Sequence, residues 1–360
     1  MSPSSPTSES RLEAPDQLTA VRSLNDGGAK PPRSPSIGTM RLFRRFQSVL
    51  ALIAITIAAI ALSPRASDGS NIFLQPGNLT DILQQVTVIG IISVAMTFVI
   101  LTAGIDLSVG SILALATCIA AKELVNGASA QGEVWHIVSA IALALLACAL
   151  VGAINGAVIS ALNIQPFVVT LATMIGIRGL AKWFTNNANI DIGFGNDPAA
   201  VFASLLSRKI VIIGALVTVA VAFWTVLDRT VFGRHVRAIG DNEQAARYTG
   251  LPIISVKVWV YALSGLLAGV SGVLYAAENH QGNPNAGVAY ELDAIAAVVI
   301  GGTSLMGGKG SISGTIIGTL ILGILTNALR LNNVDSNVEM MVKAVIIIAA
   351  VALMPKGKAA

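Results

Sequence analysis

Three stretches of the sequence set ionisable or hydrogen-bonding residues at spacings that suggest chemistry. The first, GGTSLMGGKGS at residues 301–311, has the glycine content of a loop that cradles phosphate with backbone amides. The motif G-x-x-x-x-G-K-[ST] needs glycine where Thr303 stands and serine or threonine where Gly310 stands, so it fails at both positions. Its glycines suit sharp turns between helices, and Lys309 can snorkel along its own apolar stem to lipid phosphate or water. The second stretch, GIDLSVGS, places Asp106 directly after an apolar run, with Ser108 two residues on. A carboxylate near lipid is costly unless it faces water, a partner or a helix end. Asp106 can therefore cap a helix starting near Leu107, or line with Ser108 a pathway or its gate.

The third stretch, GRHVRAIGDNEQAARYTGLPIISVK from Gly233 to Lys257, is the most hydrophilic run in the second half of the chain. Asp241 as N-cap and Gln244 three residues on make a capping-box pattern, which predicts a helix over 242–249 of about two turns. Gly250 can take the left-handed conformation that ends a helix, and Pro252 bars continuation. A helix this short is marginal alone in water, so caps at both ends predict a fixed element. Its outward face, with Glu243, Arg247 and Tyr248, is then available to meet something.

Catalytic chemistry finds no other support. His136, His235 and His280 are scattered without ligand spacing, and Cys118 and Cys148 lie inside apolar runs, so neither a metal site nor a disulfide is expected. No nucleophile with an acid and a base stands out.

The elements that must position these stretches are membrane helices. Of 360 residues 54% are hydrophobic and 12% charged, with a mean hydropathy of +0.74, too apolar for a soluble surface. The predicted fold is an all-α polytopic membrane protein of about ten transmembrane helices: 48–63, 86–103, 108–124, 134–160, 166–184, 209–227, 257–277, 291–306, 312–329 and 339–354. Weak spans at 108–124 and 291–306 could be re-entrant, giving a range of eight to ten. Residues 1–40, rich in Ser, Pro and charge, read as a disordered tail; 41–356 form the transmembrane domain, with 229–257 a cytosolic loop inside it.

Charge placement sets the orientation. Arg41, Arg44 and Arg45 precede the first span and hold the N-terminus in the cytosol, and an even count returns the C-terminus there. Arg229, Arg234, Arg237, Arg247, Lys257 and Lys309 then fall inside, while the outer segment 186–207 carries Asp191 and Asp197. The formal charge of +4 thus reports topology and gives no reason to expect a nucleic-acid partner.

Within the spans, Gly152 and Gly156, Gly265 and Gly269, and Gly314 and Gly318 have the four-residue spacing that lets helix backbones approach, within this chain or between copies. Gly104-x-x-Leu107-x-x-Gly110 is echoed by Gly302-x-x-Leu305-x-x-Gly308, a weak sign of an internal repeat. Among polar residues inside spans, including Thr173 and Ser264, Asn155 and Asn327 stand out. A buried amide must find partners, across helices or along a pathway.

Gly233 to Lys257, AGIDLSVGSILAL at 103–115 and VVIGGTSLMGGKGSISGTIIGTLILGILTNAL at 298–329 together resemble the permeases of ABC-type monosaccharide importers, the ribose, xylose and galactose class, over roughly residues 45–355. That resemblance implies a multi-pass permease of the bacterial inner membrane, embedded in the lipid bilayer and without catalysis of its own. ATP and Mg would bind a cytosolic ATP-binding subunit, which would grip the short helix through Asp241, Asn242, Glu243, Gln244, Arg247, Tyr248 and Gly250. Two permease copies would form the pore. A periplasmic sugar-binding protein would dock on the outer loops 68–83, 186–207 and 278–290, where Glu278 and His280 offer polar groups. Asp106, Ser108, Asn155 and Asn327 would line the pathway or gate. Two other classes are considered: a branched-chain amino-acid permease of the same type, and an ion-coupled secondary transporter, which needs intramembrane charge that these spans nearly lack.

Overall fold

The computed structural model describes residues 37–126, 133–194 and 198–352. Most of the expected tail at 1–40, Asp197, and the last two residues of the tenth expected span lie outside them. Within Met1–Arg45 the described part is the start of helix α1, Ile37–Leu62.

The remaining helices are α2 (Pro76–Leu101), α3 (Val109–Asn126), α4 (Glu133–Leu162), α5 (Pro166–Phe184), α6 (Pro198–Leu206), α7 (Lys209–Arg229), α8 (Val231–Asp241), α9 (Glu243–Tyr248), α10 (Ile253–Asn279), α11 (Tyr290–Ile300), α12 (Ile312–Leu331) and α13 (Ser336–Ala352). Seven of these, α2, α3, α4, α5, α7, α10 and α12, are long and apolar enough to cross a membrane. The expected eighth span, 291–306, is not one of them. Its helix stops at Ile300 and rises only about 16 Å over its 11 residues, against a hydrocarbon core of about 30 Å. Gly301 and Gly302 end it, the latter at φ +92°. At 17 residues α13 falls just short, as does the apolar part of α1, Gln47–Leu62. Among the described residues, length and composition thus give seven candidate spans, and the expected count of eight to ten would need the shorter apolar helices α1, α11 or α13 as well.

α2 is buried along most of its length, whereas α4, α5 and α7 turn Leu146, Ile175, Trp183 and Ile210 outward. Apolar side chains on the outside of a long helix belong against lipid, since nothing is gained by hiding them from tails equally apolar.

The small-residue pairs serve packing within this chain. A side chain at Gly152 would strike the carbonyl oxygen of Tyr261, and one at Gly265 that of Cys148, so α4 and α10 cross backbone to backbone. Gly314 and Gly318 of α12 do the same against the carbonyls of Gly301 and Ala297.

A repeat is present, with a different register from the expected echo. α2 ends, the chain turns back through 102–108, and α3 begins; α10 ends, the chain turns back through 280–289, and α11 begins. Each hook opens on a left-handed residue, Ala103 (φ 57°) or His280 (φ 54°), and the two hooks meet where Gly110 lies against the carbonyl of Gly287. Ser271 Oγ of α10 donates to the Val88 carbonyl of α2 (3.1 Å). The stretch at 302–308 repeats only the helix stop: Thr303 N bonds Val298 O as Gly104 N bonds Val99 O. Gly302 thus matches Ala103, one residue off the sequence echo.

The 186–207 segment, expected as a solvated loop, is partly folded. Strand β1 (Ile190–Asp191) pairs antiparallel with β2 (Gln281–Gly282), and α6 buries Ala199, Phe202 and Ala203.

Candidate functional site

The hydrophilic stretch forms two helices, α8 and α9, joined at the extended residue Asn242. Thr230 caps α8, its hydroxyl accepting from Gly233 N (3.3 Å), and Arg237 pairs with Asp228 (2.5 Å) across the turn from α7. α8 continues through Gly240 to Asp241. The expected capping box therefore does not form: Asp241 is the last residue of α8, and Asn242, in extended conformation (φ −162°), is the N-cap of α9, its Oδ1 accepting from Ala245 N at 2.9 Å. Asp and Asn cap equally well by type, so sequence could not choose between neighbours. What decides is packing, because Gly240 and Asp241 are held against another loop.

α9 spans six residues, about 9 Å. Its end matches expectation: Gly250 has φ +77°, Gly250 N bonds Arg247 O (3.1 Å), Leu251 N bonds Ala246 O (3.1 Å), and Pro252 follows. Glu243 anchors the helix sideways, pairing with Lys257 of α10 at 2.8 Å and with Arg247 at 3.5 Å; the Lys257 side chain is only 13% exposed. Gln244 and Arg247 face outward, and Tyr248 is 89% exposed. A cavity of about 360 Å³ adjoins α9, lined among others by Ser160, Asn163, Arg247, Leu251 and Lys257.

The root of this segment touches both sides of the repeat. A side chain at Gly240 would strike Leu101 O at the end of α2 and come within 2.5 Å of Gly308 N, and Gly308 N itself donates to Leu101 O at 3.0 Å. Gly307 (φ +89°) lies against Gly240 and Ala103, and Asp241 against Gly308. Three segments thus meet largely main chain on main chain, with the Asp241 carboxyl against Gly308 and the Ala103 methyl against Gly307. Sequence reading assigned glycines 301–310 to turns but missed Gly240; its only signal was a glycine at the end of an amphipathic helix.

Asp106, Ser108 and Asn155 form a second cluster. Asp106 is fully buried; its Oδ1 accepts from Ser108 N (2.9 Å) and Ser108 Oγ (2.6 Å), and its Oδ2 from Ser264 Oγ (2.7 Å). Asn155 Nδ2 donates to Ser108 Oγ (3.0 Å), and Thr173 Oγ1 donates to Asn155 Oδ1 (2.6 Å). Through Ser108 and Asn155, one carboxyl group therefore links the start of α3 and the middle of α10 to the last third of α4 and the middle of α5. Asp106 is not at the level of a span end: Ser264 lies 11 residues into α10, about 16 Å along it. α3 starts at Val109 rather than Leu107, so Asp106 organises the turn before it. The Tyr261 hydroxyl, missed in the sequence, is buried without a hydrogen-bond partner beside Gly104.

Asn327 does not join this cluster. It exchanges two hydrogen bonds with Asn78 (2.8 and 3.2 Å) where α12 ends and α2 begins. Among the described residues no group of His, Cys, Asp or Glu could hold a metal ion.

The family model described as branched-chain amino acid transport system, permease component, matches residues 78–351. The chain is similar to the ribose import permease protein of Escherichia coli (strain K12), 41% identical over 309 residues, covering 85% of this chain and 92% of that protein. The ribose import permease protein of Bacillus subtilis (strain 168) is 41% identical over 315 residues, 86% of this chain and 92% of its own. The xylose transport system permease protein of Escherichia coli (strain K12) is 31% identical over 366 residues, 84% and 90%.

Proposed function

Because the chain belongs to the family of ABC transport permeases, we propose that it is the membrane-spanning subunit of an ATP-driven importer and that its cargo is a monosaccharide or related polyol. The family description names branched-chain amino acids, but relatives 31–41% identical over more than four fifths of this chain are named for ribose and xylose, which favours the sugar. The observation that carries the proposal is α9: a two-turn helix fixed at both caps, pinned by Glu243 to α10 and rooted in backbone contact with both helix breaks.

In this account α9 lies in the cytosol of a bacterium, with both termini on the same side of the inner membrane. Arg229, Arg234, Arg237, Arg247, Lys257 and Lys309 gather at that end, as the positive-inside rule asks. A cytosolic subunit binds and hydrolyses ATP with Mg and grips α9 through Asn242, Gln244, Arg247 and Tyr248. Two copies of this chain enclose the pathway, and a periplasmic sugar-binding protein meets the opposite face.

Movement of α9 has two routes inward. Through Gly240 it presses on Leu101 and on Gly307–Gly308. Through the Glu243–Lys257 pair it loads α10, and two turns further Ser264 holds Asp106, from which Ser108, Asn155 and Thr173 carry the displacement to α3, α4 and α5. Rigid caps matter here because a helix that frays absorbs the push.

The test is uptake into proteoliposomes. Sugar entry that needs the ATP-binding subunit, the binding protein and ATP supports the assignment. Entry driven by an ion gradient through the purified chain alone overturns it.

A further inference from the structure

Ser304–Lys309 is a closed loop on the same end of the molecule as α9. Ser304 N donates to Lys309 O (2.8 Å), Gly307 N to Ser304 O (3.1 Å) and Lys309 N to Gly307 O (2.8 Å), while Ser304 Oγ receives Met306 N (3.2 Å). Gly308 N ties the loop to Leu101, and Gly307 and Gly308 lie against Gly240 and Asp241, the last residues before α9. On this rigid loop Met306 is 83% exposed and Leu305 is also exposed. Lys309 beside them is exposed, and Arg237 of α8 reaches the Gly310 carbonyl (3.4 Å).

An apolar side chain held out on a hydrogen-bonded loop needs no ordering of its backbone on docking, and the flexible methionine side chain adapts its shape to the surface it meets. Resting on the coupling role proposed for α9, we infer that the 304–309 loop is a second contact for the same cytosolic ATP-binding subunit, with Met306 as its apolar anchor. The commitment to that occupant comes from continuity: the loop packs on Gly240 and Asp241, which lead directly through Asn242 into α9, and its exposed Met306 extends the surface proposed to be gripped there. The loop then gives the motor a direct hold on the start of α12 and the end of α11, which α9 reaches only through Gly240.

Photocrosslinking in the whole complex tests this. Benzoylphenylalanine is placed singly at Met306, at Tyr248, and at Phe194, whose side chain is 79% exposed in the segment carrying β1. Capture of the same nucleotide-binding polypeptide from positions 306 and 248, and not from 194, is the expected result. Capture from 248 alone overturns the second contact and leaves the importer assignment standing. Capture from 306 of another copy of this chain, or of lipid only, also overturns it. Capture from neither position removes both the second contact and the handle. In parallel, Met306→Asp should weaken co-purification of the ATP-binding subunit about tenfold while Met306→Leu keeps it, as for an anchoring apolar contact. Equal retention by both variants overturns the anchor.

Discussion

The two hooks of the repeat have the same chain path and opposite chemistry. The hook at 102–108 is held from within by an acceptor: the Asp106 carboxyl collects donors from Ser108 and Ser264, and Ser108 passes the tie to Asn155. The hook at 280–289 is held from outside by a cation, Arg178 of α5, which donates to the carbonyls of Pro284 (3.0 Å) and Ala286 (2.5 Å). Thr117 adds a pair of bonds to Asn283, and β2 is covered by β1. Backbone turned back inside a membrane leaves amides and carbonyls to be satisfied, and an accepting or a donating side chain can do it. The first hook adjoins the α8–α9 end and the second the opposite end, so the pair teaches that topology was repeated while the fastenings were chosen locally.

The comparison can be broken in a graded way. Asp106→Ala should have the largest effect, since it strands the donors of Ser108 and Ser264 in a dry interior; a loss of about 3 kcal/mol is expected, read as a fall in the thermal midpoint in detergent. If Asp106→Ala were as stable as wild type, the first hook would owe nothing to its carboxylate. Gly240→Ala should come next, at about 2 kcal/mol, because the added methyl meets the Leu101 carbonyl rather than a flexible side chain. Its ATP-driven uptake should fall more than its stability does. Arg178→Met should cost about as much, about 2 kcal/mol from two carbonyls left bare, and its damage should show as faster hydrogen exchange around 281–289 with the 102–108 amides unchanged. Exchange that rises equally in both hooks would show that they act as one unit. Gly250→Val should be the mildest, about 1 kcal/mol from a left-handed backbone alone, since open space surrounds that position. Uptake should nevertheless drop with insertion intact, and unchanged stimulation of ATP hydrolysis by loaded binding protein would remove α9 from the coupling path.

Much of the first level of structure was legible. Apolar runs located the long helices, and Gly250 with Pro252 marked the end of α9 because left-handed glycine and proline have few other uses. The start of α9 was misplaced by one residue, since Asp241 and Asn242 carry equivalent caps and only the contact of Gly240 with Leu101 extends α8. The 291–306 run read as a weak span or a re-entrant segment, and hydropathy could not choose because it is blind to where a helix stops; Gly301–Gly302 stops α11 early. The depth of Asp106 and the grip of Arg178 lay beyond reach. Both depend on residues more than 100 positions away, Ser264 in one case and the 284–286 carbonyls in the other. Asn155 and Asn327 looked alike in sequence, yet one joins the carboxylate and the other pairs with Asn78, a choice made by helix packing alone.

The bond from Gly308 to Leu101 has a mechanical corollary when taken with the meeting of Gly110 and Gly287. Together with the α4–α10 crossing at Gly152 and Gly265, these put main chain on main chain at several depths through the fold. A joint made of backbone has no rotamers to give way, so a push delivered at Gly240 is passed on with little slack instead of being taken up by side chains.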